Sequence, residues 1–306
     1  LIPMCLLLGS ILPTSVLAQE VTDINPTEEQ TEANEEAPTP PKLKPWLITP
    51  TLSADPKLGA NVGGLIAYLK KLDAESTPSM TGLSVSYSDT DSMTGALFSQ
   101  LYWKADSRRL SLLAAGAEIN NEYDDFLGAG QTVETQDNVQ TFGFRYLHKF
   151  RPGGWFVGVQ GVSTNYAVGA DGILEGALNQ IGLSGFDATG LGLVFQLDTM
   201  DNQRDPSSGH LHTLHNFAYR ESLGGEASFD VGYADLRWYR SIERISVGKN
   251  GRSPVIAIQL KGRFTADAPR SAYSSVNLPG YTMGNYLSRH YSHVLVDARI
   301  PLKGKL

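Results

Sequence analysis

The sequence predicts an all-β protein: an antiparallel transmembrane β-barrel of about twelve strands. After residue 45, segments of roughly ten residues alternate apolar with polar or small side chains, which is the period of a strand with two different faces. The polar face carries charges in the middle of the strand, and no helical periodicity of comparable strength accompanies it. No apolar run of helix length follows residue 18, and only a closed barrel spans a membrane with such a composition.

The alternation is clearest in "VIAIQLKGRF" (residues 255–264). One face of this segment holds Ile256, Ile258, Leu260 and Phe264, and the other holds Ala257, Gln259, Lys261 and Arg263. The same pattern, bounded by turn residues, predicts strands at 46–53, 58–70, 80–88, 93–104, 109–119, 138–150, 154–166, 187–198, 209–222, 228–241, 254–265 and 291–301.

A secreted β-sandwich is the alternative to a membrane barrel. Soluble strands average about five or six residues, whereas the predicted strands are longer. Aromatic residues near the strand ends are expected to form girdles at the two bilayer interfaces. They are Trp46, Tyr102, Trp103, Trp155, Phe156, Trp238 and Tyr239. Strand length and aromatic placement favour the barrel.

Residues 1–18 are expected to be a signal peptide. The segment is apolar and ends in Val16-Leu17-Ala18, which suits a signal-peptidase site. A membrane anchor is the alternative, but the run is short and is interrupted by Pro3, Gly9 and Pro13. Because residue 1 is Leu and a positively charged start is missing, we expect the true start to lie upstream. Cys5, the single cysteine, would leave with the signal, so the mature chain would have no thiol chemistry.

Residues 19–45 are expected to be a disordered linker. Residues 19–41 are rich in Thr and Pro, and they hold seven acidic residues and no Lys or Arg, so they cannot form an apolar core. Those seven account for the whole net charge of −7. The remaining residues 42–306 are therefore formally neutral, which argues against a nucleic acid partner.

The segment "DTMDNQRDPSSG" (residues 198–209) is either an acidic metal site or a turn between strands. A calcium loop needs regularly spaced oxygen ligands and a closing Glu; this segment has no Glu, and Arg204 lies in its middle. Asp, Asn, Pro, Ser and Gly in this order favour a turn. We expect the turn, with Asp201 and Arg204 pairing across it.

The remaining polar patterns predict no catalytic residue, cofactor or metal. His210 and His212 share a face as metal ligands would, but His215 lies on the other face and no third ligand is evident. A Gly-x-Ser-x-Gly elbow and a phosphate-binding glycine loop are both missing. We therefore predict that the protein is not an enzyme. An outer-membrane lipase remains an alternative with only the barrel in its favour.

The segment 198–209 resembles a turn of the bacterial surface antigen family, the BamA/TamA-type barrels, in which it reads D-T-R-D-N-P-x-x-P-x-x-G. Met200 and Gln203 depart from that pattern. The matching residues are Asp198, Thr199, Asp201, Asn202, Pro206 and Gly209. The early segment "ITPTLSADPKLGANVGG" is similar to the opening hairpin of short family members.

A second segment, "LPGYTMGNY" (residues 278–286), resembles the family's conserved loop, L-R-G-Y-x-x-G-x-Y. The matching residues are Leu278, Gly280, Tyr281, Gly284 and Tyr286. Pro279 replaces the family Arg, which reaches into the lumen. Asp297 and Arg299, in the strand that follows, stand where the family has an acidic residue and an Arg. We expect the loop to fold into the lumen, with Lys261, Arg263, Asp297 and Arg299 among the polar residues of the lumen wall.

The resemblance implies a sixteen-strand barrel with the conserved loop between its eleventh and twelfth strands, where residues 266–290 lie. Residues 46–306 lack the last four strands, and residues 19–45 are too few to hold one of the family's periplasmic domains. We expect a truncated C-terminus, with closure of twelve strands as the alternative.

The resemblance also implies a protein of the outer membrane of a Gram-negative bacterium. Its role would be to insert, translocate or anchor proteins. Its partners would be the lipid bilayer and, in addition, client outer-membrane or secreted proteins. A passive pore or structural surface barrel is the alternative.

Overall fold

A computed structural model of the chain describes residues 45–55, 59–123, 133–170, 185–203, 205–242, 253–275, 278 and 287–301. They form one twelve-stranded sheet in which each strand pairs antiparallel with its neighbour in the chain, up to a final pairing of β11 with β14. Its strands are β1 Trp46–Asp55, β2 Gly59–Lys70, β3 Ser79–Ser88, β4 Met93–Trp103, β5 Arg108–Tyr123, β6 Val133–Arg151, β7 Trp155–Ala170, β8 Ala188–Asp198, β9 Gly209–Tyr219, β10 Phe229–Ser241, β11 Val255–Ala266 and β14 His290–Arg299. The predicted all-β antiparallel class, with about twelve strands, is confirmed.

Two very short strands and two 3₁₀ turns lie in the connections. β12 (Ser274–Ser275) pairs with β13 (Leu287–Ser288) inside the connection between β11 and β14. The 3₁₀ turns span Glu221–Leu223 and Arg270–Ala272. None of the helical segments among the described residues is long and apolar enough to cross a membrane.

The sheet has two chemically different faces. Where β10 pairs with β11, Leu236 lies opposite Leu260, and both belong to the outer face; Asp235 lies opposite Lys261 on the inner face. Large apolar side chains of the outer face are exposed along the sheet, from Ile48 at 70% to Val296 at 65%. Side chains of the inner face are mostly buried or half-buried. The face assignment of the sequence analysis for 255–264 agrees with this register.

The inner face packs its own apolar cluster around β9 and β10. Phe217 and Tyr219 are fully buried there, and Tyr219 stacks on Phe229 with ring centroids 4.4 Å apart. Gly190, on the neighbouring strand β8, lies beneath the Tyr219 ring, and a Cβ there would sit 2.8 Å from it. Glycine therefore allows the ring to cover the backbone of β8.

The two ends of the sheet differ in their connections. We call the end that holds the first residue of β1 the turn end, and its described connections are 71–78, 104–107, 152–154 and 199–208. The opposite, loop end holds the connections 89–92 and 220–228 and the long connection between β11 and β14.

The prediction that the seven aromatic residues named above form girdles at both bilayer interfaces is wrong. All seven lie at the turn end, because they begin odd-numbered strands or end even-numbered ones. The register places Tyr102, Phe156 and Tyr239 on the inner face, and Phe156 is 1% exposed. Adjacent residues of a strand face opposite sides, so only one of each aromatic pair can face outward.

Three strands are longer than the sequence indicates. β5 and β6 continue as paired strands to Tyr123 and Val133, and β7 continues to Ala170. The outer face of the β6 extension is polar, and Gln136 there donates a hydrogen bond of 2.8 Å to Glu118. The outer face of the β7 extension holds only the small residues Ala167 and Gly169. Alternation of apolar with polar residues stops where a strand leaves the apolar band, so it gave no signal there.

Within the described residues, the first and last strands of the sheet share no ladder, so the sheet is not closed there. The predicted signal peptide (1–18) and almost all of the predicted linker (19–45) lie outside the described residues, and both remain predictions.

Candidate functional site: the inner face and its two end segments

A charged network lies on the inner face of β10 and β11. Arg237 donates two hydrogen bonds to Asp235, with distances of 2.9 Å from Nε and 2.6 Å from Nη2. Gln259 Nε2 donates a third, of 2.8 Å, to the same carboxylate. Lys261 pairs with Asp235 across the ladder and is half-buried. A buried carboxylate with several donors is a stable arrangement because its lone pairs are satisfied.

A second polar chain crosses the inner face from β6 to β10. Arg145 Nε donates to Gln160 Oε1 at 2.9 Å, and Gln160 Nε2 lies 2.9 Å from His215 Nδ1. The His215 ring stacks on Tyr233, with centroids 4.6 Å apart and planes 8° apart. His215 therefore joins β7 to β10 through Gln160 and Tyr233.

Arg263 connects this wall to the long connection at the loop end. It is 5% exposed, and its Nε donates to the Tyr233 hydroxyl at 3.1 Å. Its two terminal nitrogens donate to Ser274 Oγ at 2.7 Å and to the Ala272 carbonyl oxygen at 3.0 Å. Ala272 is fully buried in the apolar cluster of the inner face. The first part of the long connection therefore folds onto the inner face.

The family-like loop residues fall mostly beyond this segment. Leu278 is half-buried, whereas Gly280, Tyr281, Gly284 and Tyr286 lie outside the described residues. Their role in the lumen remains a prediction. The predicted lumen residues Lys261, Arg263, Asp297 and Arg299 all belong to the inner face by register. Asp297, opposite Ala257, is exposed.

The segment 198–209 is a connection between β8 and β9 at the turn end. Asp198, at the end of β8, accepts hydrogen bonds from the backbone N–H of Met200 at 3.1 Å and from Gln203 Nε2 at 2.8 Å. It also forms an ion pair with Arg109 of β5, with 2.6 Å between Oδ2 and Nη1. The guanidinium of Arg109 lies over the Phe156 ring, 4.1 Å from its centroid.

Asp201 organises the middle of the connection. It accepts from the backbone N–H of Ser207 at 2.9 Å, from that of Ser208 at 3.1 Å, and from the Ser207 hydroxyl. Partial burial acts to raise the pKa of Asp201, but these hydrogen bonds outweigh it and lower the pKa to about 2. Asn202 Oδ1 accepts from the Asp205 N–H at 3.2 Å.

Arg204, the expected partner of Asp201, lies outside the described residues.

Gly209 ends the connection with a conformation that favours glycine. Its φ is +98°, and a Cβ there would lie 2.2 Å from the Thr199 carbonyl oxygen. The conformational freedom of Gly therefore allows the chain to enter β9 at this point. Pro206 is buried.

The connection also reaches β14, on the other side of the inner face. Arg299 forms an ion pair with Asp205 and donates to the Pro206 carbonyl oxygen. Six strands separate β5 from β14 in the sheet order, which would place them roughly 34 Å apart in a flat sheet. Because one connection contacts both Arg109 and Arg299, the sheet must be strongly curved with its inner face concave.

The three histidines of β9 divide between the faces. His210 and His212 lie on the outer face with ring centroids 4.7 Å apart, and His212 also contacts Trp238 at 4.8 Å. His215 belongs to the inner network. In the part of the chain that the structure describes, no group of three or more His, Cys, Asp or Glu residues is placed to hold a metal ion.

Arg109, Arg145, Gln160 and Tyr233 are members of the site that sequence reasoning missed. Alternation within their strands predicts that these residues face inward, but it does not predict their partners, which lie 15 to 89 positions away in the sequence. A charged residue in the middle of an alternating strand was the available signal, and Arg145 carried it.

No protein-family model matches the sequence, and no curated protein matches it. Among solved structures, the chain is similar to BamA from Haemophilus ducreyi lacking POTRA domains 1-3, with a TM-score of 0.45 and 12% sequence identity. The match covers 77% of this chain and 45% of that chain, so it spans less than half of the BamA structure. The resemblance to the bacterial surface antigen family therefore rests on the two motifs.

Proposed function

We propose that this chain is an integral β-barrel protein of the outer membrane of a Gram-negative bacterium. The observation that carries the proposal is the distribution of polar and apolar side chains, which is the reverse of that in a soluble protein. Large apolar side chains cover the exposed outer face, whereas Arg145, Asp235, Arg237 and Lys261 form networks on the inner face.

Water is a poor solvent for such an outer face. Leu193, Leu97 and Val294 are 65%, 55% and 63% exposed on strands far apart in the sheet. Soluble monomers rarely expose continuous apolar surfaces of this extent. In a bilayer the same side chains would contact lipid chains, and the concave polar face would line a lumen. The expected signal peptide and the family-like motifs support export to the outer membrane.

Fractionation of cells expressing the full-length chain tests the membrane proposal. We expect the protein in the outer-membrane fraction, resistant to extraction with alkaline carbonate, and migrating faster on electrophoresis before boiling than after it. A chain that stays soluble in the periplasm would overturn the proposal.

For the role of the barrel, we propose the insertion, translocation or anchoring of client proteins. The supporting observation is Pro50 in the middle of β1. Pro45 O accepts from Leu69 N of β2, so the N–H groups of alternate residues, counted from Pro45, point toward β2. Pro50 is not one of these alternate residues, so its backbone nitrogen points toward the free edge of β1, away from β2. It removes one donor from the edge that a closing strand would use, which weakens that seam. A weak seam can open to an incoming client strand.

Restoring the donor tests this role. Pro50→Thr should strengthen the seam and reduce the assembly or surface display of client proteins in cells that depend on this chain. The neighbouring Thr51→Val is the matched control, because the Thr51 N–H points toward β2. Client assembly that is equally good in both variants would contradict an active seam.

A passive pore or structural barrel is the second candidate. Within this candidate, a structural barrel is favoured over a pore, because the segment that Arg263 holds against the inner face would narrow the lumen. Conductance in planar bilayers, with and without the connection 267–289, separates the two roles. A large steady conductance on deletion, with client assembly unchanged, would favour the passive barrel.

A further inference from the structure

The four tryptophans of the chain share one location. Trp46, Trp103, Trp155 and Trp238 are its only tryptophans, and all four lie on the outer face at the turn end. Tryptophan prefers the interface between headgroups and lipid chains, where its ring is apolar and its N–H can donate. These residues therefore mark the depth of one membrane interface.

Each tryptophan has a basic residue beside it on the same face. Arg108 is the cross-strand partner of Trp103, and Arg151 is the cross-strand partner of Trp155. Arg240 lies two residues after Trp238 on β10. Trp46 pairs with Tyr68, and Lys70 follows two residues later on β2. Lys70, Arg151 and Arg240 are exposed and Arg108 is half-buried. We call these four pairs the basic-aromatic belt.

Among the described strand residues, no acidic side chain lies beside the belt on the outer face. In the described strands, Asp198, Asp235 and Asp297 lie near this end, and the register assigns all three to the inner face. Two acidic residues of the turns are engaged locally: Asp106 accepts from Thr77 N at 2.8 Å, and Asp201 is held by Ser207 and Ser208. The side-chain charges of the belt therefore face the surroundings of the barrel.

The opposite end has the opposite charge. Glu118, Glu134 and Asp230 lie on the outer face at the loop end, and all three are exposed. Arg220 is the basic residue near them, and it forms a 2.9 Å ion pair with Asp230. The outer face therefore presents a basic interface at one end and an acidic one at the other.

We propose that the basic-aromatic belt binds the phosphate groups of anionic phospholipids in the leaflet at the turn end. Arg and Lys donate charge-assisted hydrogen bonds to phosphate, and Arg can do so with two donors at once. The neighbouring indole fixes the depth at which the headgroup lies. A lipid with net negative charge should be preferred to a zwitterionic one, because the zwitterion supplies its own cation. The inference rests on the proposed membrane location.

The tryptophans themselves provide the measurement. The full chain is reconstituted in vesicles of phosphatidylcholine and phosphatidylglycerol, with bromine atoms on the chains of one lipid at a time. Because bromine quenches nearby indoles, the ratio of the two quenching curves gives the relative binding constant of the lipids at the belt. A basic residue near the membrane surface contributes a factor of about 5 in affinity for anionic lipid. We therefore expect a preference of about 3- to 5-fold for phosphatidylglycerol, which falls toward 1 in 1 M salt.

The triple variant Arg108→Gln, Arg151→Gln and Arg240→Gln should bring the ratio down toward 1, leaving only the contribution of Lys70 beside Trp46. The matched control Arg220→Gln changes a basic residue of the loop end and should keep the wild-type ratio. Faster migration before boiling reports, for every variant, that the barrel has formed. A wild-type ratio near 1, or a triple variant that keeps the full preference, would overturn the belt while leaving the membrane proposal intact. Failure of the wild type to insert would instead overturn the proposed function.

Discussion

Asp201 holds its connection through three donors that come from only two residues. Two of them are backbone N–H groups and one is the Ser207 hydroxyl. A carboxylate that accepts several hydrogen bonds favours its ionised form, which is why the pKa of Asp201 is lowered to about 2 although partial burial acts to raise it. The ionised form therefore stabilises the connection above about pH 4, and this contribution is lost as the pH falls toward 2.

Removal of the hydroxyl should raise this pKa. Ser207→Ala leaves the two backbone donors and removes the charge-assisted side-chain bond, so the pKa of Asp201 should move toward its ordinary value. Carbon NMR of the Asp201 carboxyl in detergent micelles measures it, with Asp201→Asn for assignment. Ser208→Ala is the control, because Ser208 donates only through its backbone. Equal pKa values in the two serine variants would show that the hydroxyl is irrelevant.

Gly209→Ala should destabilise the barrel by roughly 1–3 kcal/mol, since a side chain at positive φ is strained. Its Cβ would also meet the Thr199 carbonyl oxygen at 2.2 Å. Gly232→Ala is the matched control, because nothing lies within 4 Å of a Cβ there. Urea unfolding in lipid vesicles gives both free energies of unfolding. A loss no greater at Gly209 than at Gly232 would contradict this account.

Sequence alone predicted that Asp198, Asp201 and Gly209 belong to a turn, because turn chemistry is local. It did not predict that Asp198 pairs with Arg109, which lies 89 positions away on a strand three places along the sheet. That contact depends on curvature, and alternation within a strand contains no information on curvature.

The strand β11 shows what an element adds to its residues. Ile256, Ile258 and Leu260 face outward, and Gln259, Lys261 and Arg263 face inward, so a one-residue shift in register would exchange the outward-facing and inward-facing sets. The sequence predicts this pattern because one face of β11 is apolar and the other is polar or charged. The extensions of β6 and β7 could not be predicted from the sequence, because the outer face there holds polar residues on β6 and only Ala167 and Gly169 on β7.

Leu260→Arg should destabilise the barrel by about 2–4 kcal/mol if Leu260 lies near the membrane midplane. Lys261→Gln, one residue away, should cost much less, because Lys261 lies on the inner face and Asp235 keeps its three bonds from Arg237 and Gln259. Unfolding titrations in reconstituted vesicles compare them. Similar losses in the two variants would mean that the two faces have been assigned wrongly.

Arg263→Met should loosen the segment around the 3₁₀ turn Arg270–Ala272. The change removes the donors of Ser274 Oγ and the Ala272 carbonyl while keeping an apolar side chain of similar length. Hydrogen bonds from a charged donor contribute about 1.5–3 kcal/mol each, so amide exchange at Ala272 and Tyr273 should speed up by a factor of about 10 or more. Lys261→Gln is the control and should leave these amides protected. Unchanged exchange in Arg263→Met would show that the apolar burial of Ala272 alone holds the segment.

At the scale of the whole molecule, two segments close on the concave face from opposite ends. The connection 199–208 contacts Arg109 and Arg299 at the turn end, and the segment 270–274 contacts Arg263 at the loop end. The class and the number of strands were predictable because every strand repeats the same period. The arrangement of the two segments was not, since it depends on which inward-facing arginines the curved sheet brings within reach.

The orientation of the barrel follows from the chemistry of its two ends. The turn end holds the first residue of β1, which follows the predicted acidic linker, together with the basic-aromatic belt; the loop end holds the long connection and the acidic outer face. We expect the turn end in the periplasm and the loop end at the cell surface.

Ser208→Cys at the turn end and Ser222→Cys at the loop end test this orientation, because both serines are exposed and differ from cysteine by one atom. Cys5, the single natural cysteine, lies in the predicted signal peptide. A maleimide that cannot cross membranes should label Ser222→Cys in intact cells, and should label Ser208→Cys only after the outer membrane is made permeable. The reverse labelling pattern would show that the barrel has the opposite orientation, which would place the basic-aromatic belt in the outer leaflet.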